Sequence, residues 1–216
     1  KFAIGCSIEN CQVIGDSATK KSWRNQAIRL TDSYFSKINN CYVAVATNTD
    51  GGYGYGITMY GSTNCTVKDC EVSSTRHSFL FFAGAAGNSV SGCVSVDAAV
   101  SDYDFHGGEC VDNTVANCIA VGGDSVADDG STNKAACRIG NSSHADGDSY
   151  NVFSSMHIIN YQGIAFEIVP QSTENIFRDS RVTIAQTGIK VAINPSNTLL
   201  TSLNTYVENI DFSDVS

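Results

Sequence analysis

Eight copies of one short pattern run the length of this 216-residue chain, and that repetition limits the fold more than any other feature. Each copy reads apolar, two spacers, Cys or a substitute, one spacer, then usually Val or Ile. The copies are Ile8-x-x-Cys11-x-Val13, Ile38-x-x-Cys41-x-Val43, Val67-x-x-Cys70-x-Val72, Val90-x-x-Cys93, Val115-x-x-Cys118, Phe153-x-x-Met156-x-Ile158, Phe177-x-x-Ser180-x-Val182 and Val207-x-x-Ile210-x-Phe212. The fourth position recurs at intervals of 23 to 38 residues. A second alternating segment follows the first seven copies: Ile28-x-Leu30, Ile57-x-Met59, Phe79-x-Phe81, Tyr103-x-Phe105, Cys137-x-Ile139, Ile164-x-Phe166 and Ile189-x-Val191. Gly or Ala precedes several of these (Ala27, Gly56, Gly163, Gly188). An Asn often stands before the apolar start (Asn64, Asn88, Asn113, Asn151, Asn175), where its tolerance of the left-handed region suits it to close a turn. Apolar segments of period two, repeated every few tens of residues, are what a stacked β-solenoid needs. No coil can bury its inner face alone, so neighbours stack along one axis.

Composition agrees. Val and Ile number 36 against five Leu, and Ser, Thr and Asn together number 60. β-branched residues fit a pleated surface and small polar residues supply turns, whereas a helical domain needs more Leu, Ala, Glu and Lys. At 42% hydrophobic with clear patterning, the chain is not disordered. The net charge of −9 gives no electrostatic hold on nucleic acid or an anionic membrane. Apolar runs are too short for a membrane-spanning helix, and residues 1–6 carry no secretory h-region. Nine cysteines cannot all pair within one chain. Cys11, Cys41, Cys70, Cys93 and Cys118, all at the repeat position, are expected to stack as buried free thiols.

The pattern resembles the right-handed parallel β-helix superfamily, the pectate-lyase-like proteins and bacteriophage tailspikes. The expected fold is all-β: a single-stranded right-handed parallel β-helix of about eight coils, occupying residues 1–216. The first repeat begins at residue 8 and the last ends at Phe212, with no capping element. The chain therefore reads as an excised part of a longer one, or as one whose ends another subunit covers. The resemblance implies an extracellular or virion-associated (phage tail) setting and a homotrimer.

Two unusual segments fall on consecutive coils: Ser74-Thr75-Arg76-His77-Ser78 and Asp102-Tyr103-Asp104-Phe105-His106-Gly107-Gly108-Glu109. If Tyr103 and Phe105 point inward, Asp104 and His106 point outward together. Coils stack about 4.8 Å apart, so Arg76 or His77 can approach Asp104 or His106. Such a set suits β-elimination from a uronic acid, with Arg76 neutralising the carboxylate and His77 or His106 as base. It also suits hydrolysis by paired carboxyl groups, for which Asp104 and Glu109 are nearest in sequence and Glu167 lies two coils on. An Arg-His segment followed by Asp-x-His-Gly resembles a feature of phage tail β-helices that attack cell-surface polymers, which implies a depolymerase. Tyr60 and Phe82 can stack on sugar rings or, equally, pack under a loop, and Arg138 and Glu167 are candidates to contact substrate, though Arg29, Arg138, Glu167 and Lys190 also read as ordinary solvated outward residues.

No cofactor is called for. The acidic loops at Asp128-Asp129 and Asp146-Gly147-Asp148 lack the full calcium-loop spacing, so polar turns are the leading reading and Ca²⁺ the lesser one. No C-x-x-C argues for zinc, and no glycine-rich nucleotide fingerprint occurs. The leading function is a tailspike-like polysaccharide depolymerase, slightly favouring elimination over hydrolysis. The alternatives are a non-catalytic glycan-binding fibre or adhesin, and a structural solenoid spacer.

Overall fold

The structure, a computed structural model, describes residues 3–15, 25–45, 54–122, 135–140, 147–169, 172–191 and 205–215. Among these residues there is no helix, and every strand pairing is parallel. The chain winds into a right-handed parallel β-helix. One sheet stacks the strands Ser7–Glu9, Lys37–Asn39, Thr66–Lys68, Ser89–Ser91, Thr114–Ala116, Val152–Ser154, Ile176–Arg178 and Tyr206–Glu208, one per coil. A second stack runs from Gln12–Gly15 through Tyr42–Val45, Glu71–Ser73, Val94–Val96 and Ile119–Val121 to the long strand His157–Ile168. That strand joins it to a third stack: Ala135–Ile139, Ser101–His106, His77–Phe82, Gly54–Tyr60 and Asn25–Thr31.

The repeat maps onto these stacks. Val67 pairs with Ile38 and Val90, and Val72 with Val43 and Ser95, so each pattern position forms a column along the axis. The predicted second segment holds through Cys137-x-Ile139 and then slips by two residues. Cys137 pairs with Phe166 rather than Ile164, and the long strand's pairing with the following strand carries a one-residue irregularity between Tyr161 and Ile164.

The corners are columns of left-handed residues. One comprises Asn10, Asn40, Asp69, Asn117, Ser155, Asp179 and Asn209, with φ between 48° and 54°, together with Gly92. Asn and Asp adopt this region more readily than other side chains, which explains why they precede the Cys column. At Gly92 a Cβ would stand only 2.5 Å from Asp69 Oδ1, so the preceding coil also requires glycine there.

The asparagines before the apolar start divide into two kinds. Asn64 has φ of 54° and closes a turn as expected. Asn88, Asn113, Asn151 and Asn175 are buried and form a ladder instead. Each Nδ2 donates to the next coil's Oδ1 (3.0 Å for Asn88 to Asn113 and Asn113 to Asn151, 3.2 Å for Asn151 to Asn175), and each of these oxygens also accepts the preceding coil's backbone N–H. The same Nδ2 groups reach backbone carbonyls of Ser62, Ala85 and Cys110. The ladder thus satisfies polar groups at a buried corner. Cys65, not Asn64, occupies the ladder position in its coil, its N–H donating to Asn88 Oδ1 at 2.8 Å.

Cys41, Cys70, Cys93 and Cys118 are buried free thiols, as expected. Cys70 and Cys93 each receive the column as a hydrogen-bonded row, the Cys70 N–H reaching Cys93 Sγ and the Cys93 N–H reaching Cys118 Sγ, both at 3.4 Å. Cys11 departs from the expectation: it is exposed, because no described coil covers its outer side. Aromatic rings continue the core, with Phe79 stacked on Tyr103 (4.9 Å, 4°) and Phe153 on Phe177 (5.3 Å, 16°).

The third stack breaks strict alternation in a regular way. Two consecutive residues face inward at each coil: a small one, then a large one. Ala27, Ala136 and Ala165 pack on the core, and Gly56 has room for no side chain because a Cβ would meet Val72. Ser78 hydrogen-bonds Ser95 and Thr75 inside the coil, and Asp102 accepts a short bond from the Ser95 hydroxyl. This interior polar group explains why Ser95 stands where other copies carry Val or Ile. The break turns His77 outward although it shares the parity of the inward Phe79 and Phe81. Substituting Asn113 by Ala is expected to destabilise the fold by about 3 kcal/mol, since several buried ladder groups lose partners; urea unfolding of the two proteins measures it.

Candidate functional site

The outward face of the third stack carries the site. Register places Tyr55, His77 and Ser101 in one column, Thr58, Leu80 and Asp104 in a second, and Tyr60, Phe82 and His106 in a third. Arg76, His77, Asp104 and His106 are brought together, as the sequence suggested, but they are not solvated decoration. Asp104 is fully buried and His77 is 1% exposed.

Asp104 is the hub. Its Oδ2 lies 2.8 Å from His77 Nδ1 and 3.3 Å from His106 Nδ1, and the Ser101 hydroxyl reaches it at 3.4 Å. Its Oδ1 is buried without a hydrogen bond. Burial opposes ionisation of this carboxyl, but His106 and His77 override it and hold it well below the usual carboxylate range.

The two histidines differ in role. Arg76 Nη1 stands 2.9 Å from His77 Nε2. A guanidinium only donates, so this nitrogen accepts, and the His77 proton sits on Nδ1 facing Asp104. Burial pushes His77 down to about 4 against the pull of Asp104, with Arg76 and His106 acting in the same direction as burial. His77 is therefore neutral at ordinary pH with its basic lone pair engaged. Its ring also lines the pocket, with Arg76 on one side and Asp104 on the other. His106 turns Nδ1 toward Asp104, and its ring lines the pocket.

That pocket, about 70 Å³, opens beside His106. Tyr60, Phe82 and His106 form a continuous stack along its wall, with centroids 5.4 and 5.7 Å apart. Tyr55, Gln26 and Thr58 also line it and were missed by sequence reasoning. Tyr55 accepts a hydrogen bond from Arg76 Nη1 at 3.2 Å. It was legible in principle, since it stands two residues before Ile57 as His77 does before the aligned Phe79. No carboxylate lines the pocket among the described residues.

Other expected residues lie elsewhere. Glu109 is exposed on a left-handed turn with φ of 58° and does not line the pocket. Arg138 and Glu167 continue the Asp104 column and pair with each other, Nε to Oε2 at 3.3 Å, with Glu167 only 2% exposed. They brace one another rather than face the pocket, contrary to the substrate-contact reading. Of the suggested calcium ligands, Asp128, Asp129 and Asp146 lie outside the described residues. Asp148 is buried, its Oδ1 accepting the Cys110 N–H at 2.9 Å. No cluster of metal-ligating side chains occurs among the described residues.

The chain belongs to the right-handed β-helix family: the family described as the right handed beta helix region matches residues 55–213. It is similar in structure to a point mutant of the tailspike protein of the E. coli bacteriophage HK620 in complex with a pentasaccharide, at 14% identity and a TM-score of 0.63. A double mutant of the same tailspike matches at 13% identity and a TM-score of 0.64. Each match covers 95% of this chain and 38% of the tailspike chain, so the chain spans less than half of that protein. No curated protein matches it in sequence.

The buried pair of titrating groups gives the fold a defined acid response. His77 has a folded value near 4 and an unfolded one near 6.5, so it contributes stability above about pH 6.5 that is lost as pH falls toward 4. Asp148, raised to about 6 chiefly by burial, acts with the opposite sign and loses stability as pH rises from about 4 toward 6. Comparing wild type with His77→Gln cancels the Asp148 contribution. The stability of wild type relative to this variant is expected to fall by about 3 kcal/mol between pH 7 and pH 4, measured by urea unfolding at each pH.

Proposed function

We propose that this β-helix cleaves an extracellular or bacterial surface glycan by β-elimination, with His106 as the proton-abstracting base. The observation that carries this reading is the Asp104–His106 pair opening on an aromatic-walled pocket with no carboxylate in its described lining. Hydrolysis by the usual route needs two carboxyl groups flanking the bond. Asp104 is instead buried and held by two imidazoles.

In this mechanism Asp104 keeps the His106 proton on Nδ1 and leaves Nε2 to remove the hydrogen α to the sugar carboxylate. The electron pair of that C–H bond forms the new double bond, the C–O bond pair leaves with the glycosidic oxygen, which takes a proton from water, and an unsaturated sugar end remains. Arg76, held by His77 and Tyr55, supplies positive charge against the carboxylate as it gains enolate character. Tyr60 and Phe82 hold sugar rings beside His106. The pentasaccharide in the similar tailspike supports a glycan partner, and the same likeness supports a virion-borne or extracellular setting.

Incubation with a panel of bacterial surface polysaccharides tests the reading, with ultraviolet absorbance reporting unsaturated ends. His106→Ala is expected to lower turnover at least about a hundredfold while the fold is retained. Cleavage without unsaturated ends would assign hydrolysis instead. Binding without cleavage would assign a receptor-binding fibre.

A further inference from the structure

We propose that the part of the pocket formed by the strands Asn25–Thr31 and Gly54–Tyr60 is a subsite for an acidic sugar unit, held by Arg29, Thr58, Gln26 and the Tyr60 ring. The inference rests on the glycan-cleaving reading and adds to it where the polymer runs and what charge it carries.

Two buried polar atoms here have no hydrogen-bond partner, and an exposed cation stands beside them. Thr58 is fully buried, lines the pocket, and its Oγ1 has no hydrogen bond. Gln26 lines the same pocket, and its Oε1 is likewise buried and unpaired. Buried polar atoms are nearly always paired, so a hydroxyl and a carbonyl left open on one wall mark a place that a ligand completes. Arg29 is the exposed cation: it lines the same pocket with its guanidinium 4.2 Å from the Tyr60 ring centroid, and no salt bridge to it occurs among the described residues. Register puts Arg29 beside Thr58 and Gln26 beside Tyr55, so the three groups span two neighbouring coils.

The remaining wall is apolar, made by Tyr60, Leu80 and Phe82. A pyranose uronate matches this arrangement group for group. Its C–H face suits the aromatic wall, its hydroxyls suit Thr58 and Gln26, and its carboxylate suits Arg29. A neutral sugar would leave the cation without a counter-charge. On a chain of net charge −9, a polyanion also needs local positive charge to be held at all. The Tyr60–Phe82–His106 stack leads from this subsite to the base, so the glycan lies along the helix axis with the subsite two coils from His106.

The test is affinity electrophoresis of the chain through gels containing polygalacturonate, alginate or uronate-bearing bacterial capsules, each beside its carboxyl-reduced counterpart. At least one acidic polymer is expected to retard the wild type and its reduced form to retard it far less. Arg29→Gln and Thr58→Val should each weaken retention about tenfold, with unchanged urea midpoints confirming the fold. Added salt should weaken the wild type more than Arg29→Gln. Equal retention by reduced polymers, retention by none of the acidic ones, or variants that bind like wild type would overturn the subsite. His106→Ala separates the two readings. If it abolishes cleavage while Arg29→Gln leaves binding intact, the catalytic reading stands without the subsite. If binding depends on Arg29 and Thr58 and nothing is cleaved, the subsite stands without the catalysis.

Discussion

Every coil of this protein depends on its neighbours to pair its backbone. Because all strands are parallel and one coil apart, each N–H and C=O in a strand finds its partner in the coil above or below. A shift of one residue would exchange inner and outer faces along a whole coil. The buried asparagine ladder fixes the register at one corner, where a strand ends and backbone groups would otherwise be orphaned. The aromatic rows, the thiol row and the outer-face site all inherit their alignment from that pairing.

The site follows from a departure from simple alternation. A small inward residue before each large one, Gly56 before Ile57 and Ser78 before Phe79, lets the third stack turn without opening a void. The turn swings His77 to the outer face, where Asp104 of the next coil receives it. In the coil of Asp104 the small position is Asp102, and the interior answers with Ser95 in place of an apolar residue. One irregularity in the repeat thus accounts both for a buried polar cluster inside the coil and for the histidine pair outside it.

Electrostatics then differentiates groups that look alike in sequence. Two histidines flank the same carboxylate oxygen, and Arg76 hydrogen-bonds the second nitrogen of His77. His77 stands buried between Arg76 and Asp104, and both imidazole rings line the pocket. Arg138 and Glu167, one and two coils further along the Asp104 column, pair with each other.

The repeat alone determined the coil architecture, the Cys column, and the placement of Arg76, His77, Asp104 and His106 on adjacent coils. Period-two patterning and recurrence are local properties that a linear reading captures. It could not separate Asn64 from Asn88, because a turn residue and a ladder residue look the same until the coils are aligned. It could not see that Phe166 rather than Ile164 aligns with Cys137, because the two share one apolar alternation and either register preserves the pattern. Gln26, Tyr55 and Thr58 read as ordinary strand residues, and only stacking three coils places them around one pocket. Which of the expected residues gather at the pocket, with Glu109 and Glu167 outside its lining, depends on burial and on partners far apart in the chain. Proton positions and ion pairs depend on distances of a few ångströms between coils, and nothing in the order of residues specifies those distances.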